Sequence, residues 1–256
     1  MSNDILSPCF DDVFKILFGD PHNGEILRAF LEATLPLPDD DYQEITLLNP
    51  FLPNERIGDK IGILDIKVKT AFGKMIDIEI QIANRAALHE HIVYYLAKML
   101  TEQIGVGEHY GNIKPSIRIL ITDFAMIPDN GHYHNRFRLH DPETGADFAD
   151  LLHFHTLELP KLPKKADGTK LWSWLEFLKT QNKEKLEMLA KTNQDVKKAV
   201  RDQYAREEFV RNEARSEGEK KALLAVARNA LQNDLSVENI AALTGLTREE
   251  IQALLH

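Results

Sequence analysis

A chain of 256 residues with 43% hydrophobic and 28% charged content is long enough for one large domain with an appendage, or for two small domains. Its net charge of −9 argues against a strongly basic nucleic-acid coat protein, though not against an enzyme acting on DNA, since empty metal sites are themselves acidic. The single cysteine, Cys9, excludes an intrachain disulfide framework and any cysteine-rich zinc module. With no bilayer-length apolar run and no signal-like start, a reducing, cytoplasmic setting without a membrane partner is expected.

The first predicted element is a helix over Asp11 to Phe18, where Val13, Phe14, Leu17 and Phe18 form one apolar stripe and Gly19 ends it. A second helix follows over Glu25 to Leu35, closed by Pro36 and Pro38. The run Asp39-Asp40-Asp41 reads as a solvated loop, and Ile45 to Leu48 as a short strand.

Gly62 to Ile82 contains two runs of strict alternation around Ala71-Phe72-Gly73. Leu64, Ile66 and Val68 alternate with Asp65, Lys67 and Lys69; Ile76, Ile78, Ile80 and Ile82 alternate with Asp77, Glu79 and Gln81. Period-two alternation with β-branched residues predicts a hairpin, with Gly73 in the left-handed position of a three-residue loop. Pairing Thr70 with Lys74 and counting outward sets Lys67 opposite Asp77 and Asp65 opposite Glu79, with all the isoleucines on the other face. Two carboxylates opposite one another repel, so the pattern points to something cationic held between them; Mg²⁺ suits oxygen ligands completed by water. The same alternation also fits the solvated face of an antiparallel hairpin, which is the reading taken for Asp77.

Downstream, His89 to Ile104 reads as a helix, Ser116 to Phe124 as a strand buried on both faces, and Arg136 to Leu139 and Phe154 to Leu159 as further strands. The order predicts a mixed α/β layer. Three His-x-His pairs occur, and His153, His155 and Glu158 could be read as an incomplete zinc set. From about Lys170 the composition turns rich in Lys, Glu, Ala, Arg and Leu and almost loses glycine, predicting helices. Near the end, Ser236 caps one helix, Gly245 makes a turn, and Thr247 to Glu250 form a capping box, an arrangement that looks like a helix-turn-helix or a plain helical hairpin.

Several stretches together resemble one family. Asp11-Asp12-Val13-Phe14-Lys15 to Gly19, Asp65, Asp77-Ile78-Glu79-Ile80-Gln81, Tyr94-Tyr95, Gly107 to Tyr110, Pro115 to Ile119, Glu158 to Lys161 and Ile240 to Leu246 are similar to the recombination-promoting nucleases, the Rpn family, described as transposases of the PD-(D/E)XK nuclease superfamily. The resemblance implies a restriction-endonuclease-like mixed sheet flanked by helices, with a nuclease domain over 1–168 and a helical C-terminal region over 169–256. It implies a Mg²⁺- or Mn²⁺-dependent DNA endonuclease that promotes recombination. Asp65 and Glu79 would be metal ligands, the Ile80 carbonyl a further one, Gln81 the group that orients water, and Asp11 a contributor from the first helix. The chain departs from the superfamily at Leu64, where proline is usual, and at Gln81, where lysine is usual, so Lys67 is an alternative for positioning water. His91 stands where relatives often carry an arginine. Lys15, Lys67, Lys69 and Lys98 are candidates for a cationic rim, and the tail is a candidate surface for self-association. Two other readings share the sequence: a non-enzymatic DNA-binding or regulatory protein that uses the tail, and a hydrolase of small phosphate esters that uses the same acids.

Overall fold

The computed structural model describes residues 7–52, 62–63, 65–232 and 235–255. The elements are α1 (Asp11–Gly19), α2 (Gly24–Thr34), β1 (Ile45–Leu47), β2 (Phe51–Leu52), β3 (Gly62–Ile63), β4 (Ile66–Thr70), β5 (Met75–Gln81), α3 (Leu88–Thr101), β6 (Ser116–Thr122), β7 (His134–His140) and β8 (Asp147–Glu158). The helices α4 (Lys170–Lys179), α5 (Lys183–Thr192), α6 (Gln194–Gln232), α7 (Val237–Thr244) and α8 (Arg248–Gln252) follow. The chain divides into two compact units, Met1–Gln203 and Tyr204–His256.

In the first unit a six-stranded sheet runs in the order β1-β4-β5-β6-β8-β7. The hairpin pairs β1/β4, β4/β5 and β7/β8 are antiparallel, while β5/β6 and β6/β8 are parallel. The parallel step from β5 to β6 needs a crossover, and α3 supplies it. The mixed sheet flanked by helices is the restriction-endonuclease-like α/β fold expected from the sequence.

The two faces of the sheet are built differently. On one, Ile66 and Val68 of β4, Ile76, Ile78 and Ile80 of β5, and Ile117, Ile119 and Ile121 of β6 are buried together, as the shared parity of the strands requires. On the other, α3 covers the sheet with Leu88 and Ile92 against Leu120, and Leu96 and Met99 against Met75, Leu152 and Phe154. The strand residues between these apolar ones on the α3 side are charged: Lys67, Asp77, Glu79 and Arg118.

The composition shift at 169 does not end the first unit. Trp174 of α4 is fully buried, with ring centroids 5.9 Å from both Phe18 of α1 and Phe30 of α2, and Leu175, Phe177 and Leu178 are buried with it. The Cys9 thiol donates to the Leu178 carbonyl at 3.1 Å, and burial pushes that thiol up to about 12, which leaves it a packing residue. The amphipathic α4 therefore closes the core begun by α1 and α2, and the first unit continues through Gln203.

The second unit has a small core of Ala227, Ile240, Leu246 and Ile251. Its local signals are realised as read: Ser236 caps α7, Gly245 has φ +71°, and Thr247 and Glu250 form the capping box of α8. The recognition-helix position is filled by only five residues, which include Glu249 and Glu250.

Candidate active site

The hairpin has the expected register. The Thr70 amide donates to the Lys74 carbonyl at 3.0 Å, and the Gly73 amide to the Thr70 carbonyl at 2.9 Å. Gly73 takes φ +85°, a conformation that favours glycine, and a Cβ there would stand 3.3 Å from Lys114 Cγ, so that side chain would also have to shift. Lys67 faces Asp77 and Ile66 faces Ile78. Asp65 lies one residue before β4, so the same count carries it toward Glu79. Its carboxylate reaches the next residue of β5: Asp65 Oδ2 accepts from the Ile80 amide at 3.4 Å.

This face is not solvated, which corrects the reading of Asp77. Asp77 is 1% exposed, Glu79 7%, Lys67 6% and Arg118 1%. The parallel register sets Arg118 of β6 beside Asp77 of β5, under the cover of α3. Arg118 Nη2 donates to Glu79 Oε2, Arg118 Nε stands 3.3 Å from Asp77 Oδ2, and the guanidinium carbon lies 5.8 Å from the Tyr95 ring centroid. Gln81 Nε2 donates to Glu79 Oε1 at 2.6 Å. Lys67 Nζ pairs with Glu102, and Lys15 Nζ stands 3.1 Å from Asp65 Oδ1. Burial pushes the Asp77 carboxyl up to about 6; Arg118 and Lys67 pull against that, and Asp65 adds to it.

The expected cation between the carboxylates is thus in part the protein's own. Arg118 escaped the sequence reading as a site residue because its meaning depends on the register between β5 and β6, which 34 intervening residues conceal. The signal was present: among Ser116, Arg118, Leu120 and Thr122, which share a face of a strand buried along its length, Arg118 alone is charged.

The other candidates distribute as follows. Gln81 meets Glu79 through the Nε2–Oε1 hydrogen bond, while Asp65 is placed by its contacts with the Ile80 amide and Lys15. Asp11 opens α1, and its side chain lies outside the described residues. Of the rim lysines, Lys15 reaches Asp65, Lys67 is held by Glu102, and Lys69 is exposed near the hairpin loop. Asp41 is not solvated: it is fully buried, accepts from Thr70 Oγ1 at 2.8 Å and pairs with Lys74, tying the loop after α2 to the hairpin.

The zinc reading of His153, His155 and Glu158 fails on geometry. In β8 the histidines share a face with Leu157, and Glu158 takes the opposite one. The Glu158 carboxylate accepts from the amides of Met126 at 2.9 Å and Ile127 at 3.3 Å, and from Asn135 Nδ2 at 2.9 Å, and pairs with Lys161 at 2.9 Å. His155 Nδ1 lies 2.9 Å from His134 Nε2, and burial lowers His155 to about 3 and His134 to about 4, so the pair stays neutral.

Among the described residues there is no group of three or more His, Cys, Asp or Glu side chains that could hold a metal by themselves. What the hairpin offers is a smaller, hard-oxygen set of two carboxylates, Asp65 just before β4 and Glu79 on β5, with Asp65 tied to β5 through the Ile80 amide. Such a set fits a hard divalent ion that keeps several waters, as Mg²⁺ does, and does not fit zinc.

A mixed sheet with an acid before one strand, an acid and Gln81 along the next, and a helix crossing over to a parallel third strand defines a nuclease-type α/β core. The family model described as PD-(D/E)XK nuclease family transposase matches residues 8–229. The chain belongs to the family of PD-(D/E)XK nuclease transposases. The match ends before α7, so the last two helices are additional to it. No curated protein and no solved structure matches the chain. Among the described residues no helix is long and apolar enough to cross a membrane.

Proposed function

We propose that the protein is a divalent-metal-dependent endonuclease that hydrolyses phosphodiester bonds in DNA and serves recombination or transposition-like events. Two contacts in a chain of a nuclease family support this most: Asp65 accepts from the Ile80 amide of β5, and Glu79 and Gln81, the residues on either side of Ile80, are hydrogen-bonded to each other. Asp65 and Glu79 would hold Mg²⁺ or Mn²⁺, with the Ile80 carbonyl as a further ligand. The bound ion would supply a Lewis acid, lowering the pKa of water and stabilising charge on the scissile phosphate.

The chain's own groups do the rest. Gln81, already hydrogen-bonded to Glu79, orients a water by donating and accepting; an amide is no base. Lys67 is a poorer choice for that task, since its ammonium is committed to Glu102. Lys15 is 40% exposed beside Asp65 and can place its ammonium against a phosphate oxygen. The protein would act where DNA is accessible in a reducing cytoplasm, which its one buried, unreactive thiol tolerates. The reading of a DNA-binding protein that uses its tail finds little support in α8, which is five residues long and carries two glutamates among its exposed or half-exposed residues. Supercoiled plasmid incubated with the purified protein should be nicked or linearised with Mg²⁺ or Mn²⁺ and left intact with a chelator. Intact plasmid in both conditions, with retained DNA binding that is lost when residues 235–256 are deleted, would favour the non-enzymatic reading.

A further inference from the structure

Arg118 stands out among the buried groups because its bonding is uneven. A guanidinium has five N–H donors. That of Arg118, 1% exposed, gives one good hydrogen bond, from Nη2 to Glu79 Oε2. Its Nε lies 3.3 Å from Asp77 Oδ2, yet among the described residues neither Nε nor Nη1, nor either oxygen of Asp77, makes a well-directed hydrogen bond. Buried donors and acceptors are normally paired, and here Arg118 forms ion pairs with two carboxylates but a well-directed hydrogen bond with only one of them.

We propose that Arg118 is a positioning residue with two resting places, bonded to Glu79 when no divalent ion is bound and shifted onto Asp77 when Glu79 becomes a metal ligand. The inference rests on the reading of Asp65 and Glu79 given above. Arg118 holds Glu79 Oε2 and Gln81 holds Oε1, so an ion ligated by Glu79 would have to displace one of them, and its charge would repel the neighbouring guanidinium. Asp77 sits two residues before Glu79 on the same face of β5, with both oxygens open and already 3.3 Å from Arg118 Nε. A small rotation of the guanidinium converts that contact into hydrogen bonds. Lys67, the residue opposite Asp77, does not fill the position, because its ammonium is held by Glu102. The Tyr95 ring, 5.8 Å from the guanidinium carbon, offers its face in either position. Arg118 therefore opposes metal binding, and Asp77 reduces that opposition by giving it a second acceptor.

Calorimetry of Mn²⁺ binding to the full-length protein tests this without measuring cleavage. Arg118→Met should bind Mn²⁺ roughly tenfold more tightly, the order of one charge-assisted hydrogen bond released. Asp77→Asn should weaken binding about tenfold in the parent, by the same reckoning, and have much less effect in the Arg118→Met background. A carboxylate acting on the ion only through its charge would weaken binding equally in both, so the double-mutant cycle separates the two roles. Glu79→Gln is the control for the site itself: if it binds Mn²⁺ as tightly as the parent, the site reading fails. If Glu79→Gln loses Mn²⁺ while Arg118→Met binds no more tightly than the parent, or the two substitutions simply add, the site reading stands and the role of Arg118 is overturned. Should Arg118→Met not fold, the parent decides: Mg²⁺ should move the Arg118 Nε–H NMR resonance with the midpoint found by calorimetry of Mg²⁺ itself, and a resonance unmoved at saturation overturns the proposal.

Discussion

Asp77→Asn should stabilise the protein at neutral pH and leave it unchanged in acid. The carboxyl is 1% exposed, and burial raises it from its ordinary 3.8 to about 6 despite the neighbouring Arg118. A group whose folded pKa lies above its unfolded value binds more protons in the native state between those two values. The stability it contributes is fully present below about pH 4 and is lost as pH rises through about 6. At pH 7 the charged form disfavours folding by about 3 kcal/mol, which an amide of the same shape removes. Arg118 is not stranded by the change, because Glu79 still accepts its Nη2 hydrogen bond. Urea unfolding of parent and variant between pH 4 and 7.5 measures the difference, and acidification of other groups cancels in the comparison. A gap that opens from near zero at pH 4 to about 3 kcal/mol in favour of the variant at pH 7 is expected. A variant less stable than the parent at pH 7 would show that the pair with Arg118 outweighs the desolvation of Asp77, and would refute the reasoning.

Three further outcomes follow from the packing. Trp174→Ala should lower stability by about 3–5 kcal/mol in thermal or denaturant unfolding, because it opens a cavity between Phe18 and Phe30. A chain ending at Lys165 should fail to give a cooperative unfolding transition, since it lacks the α4 face that closes this core, whereas a chain ending at Gln203 should retain one. Glu158→Ala should cost about 1–3 kcal/mol, since it leaves the buried Met126 amide without its acceptor while Lys161 keeps the Ile127 carbonyl and Asn130 Oδ1, without altering metal affinity measured by calorimetry.

The legible parts of the fold were those fixed by local spacing. Alternation and the glycine at 73 were enough to set β4 against β5 with Lys67 opposite Asp77, because a hairpin register follows from its loop. The helix caps at Ser236 and Thr247 are likewise local chemistry. The illegible parts depended on distant partners. Nothing near Asp77 in the sequence shows that α3 will fold over it, so its alternation with isoleucines fits a solvated position as well as a buried one. Arg118 lies 41 residues beyond Asp77, and its place depends on a parallel pairing made through a helix. The run of three aspartates reads as solvated, yet Asp41 alone of them is buried, against Thr70 and Lys74, partners 29 and 33 residues away. The tail is expected to begin at 169, where the tertiary structure does not divide: α4 buries Leu171, Trp172, Trp174, Leu175, Phe177 and Leu178, and the partners of that apolar run lie in α1 and α2, far off in sequence.

The central claim, that Asp65 and Glu79 carry a metal-dependent nuclease activity, is tested most directly by Asp65→Ala. Asp65 is half-buried, and its ion-pair partner Lys15 is itself substantially exposed, so the substitution should change stability by no more than about 1 kcal/mol. Plasmid cleavage by parent and variant is measured at matched salt, with saturating Mn²⁺ and equal folded fractions. The account predicts cleavage by the parent and none by the variant. A variant that cuts as fast as the parent would contradict it.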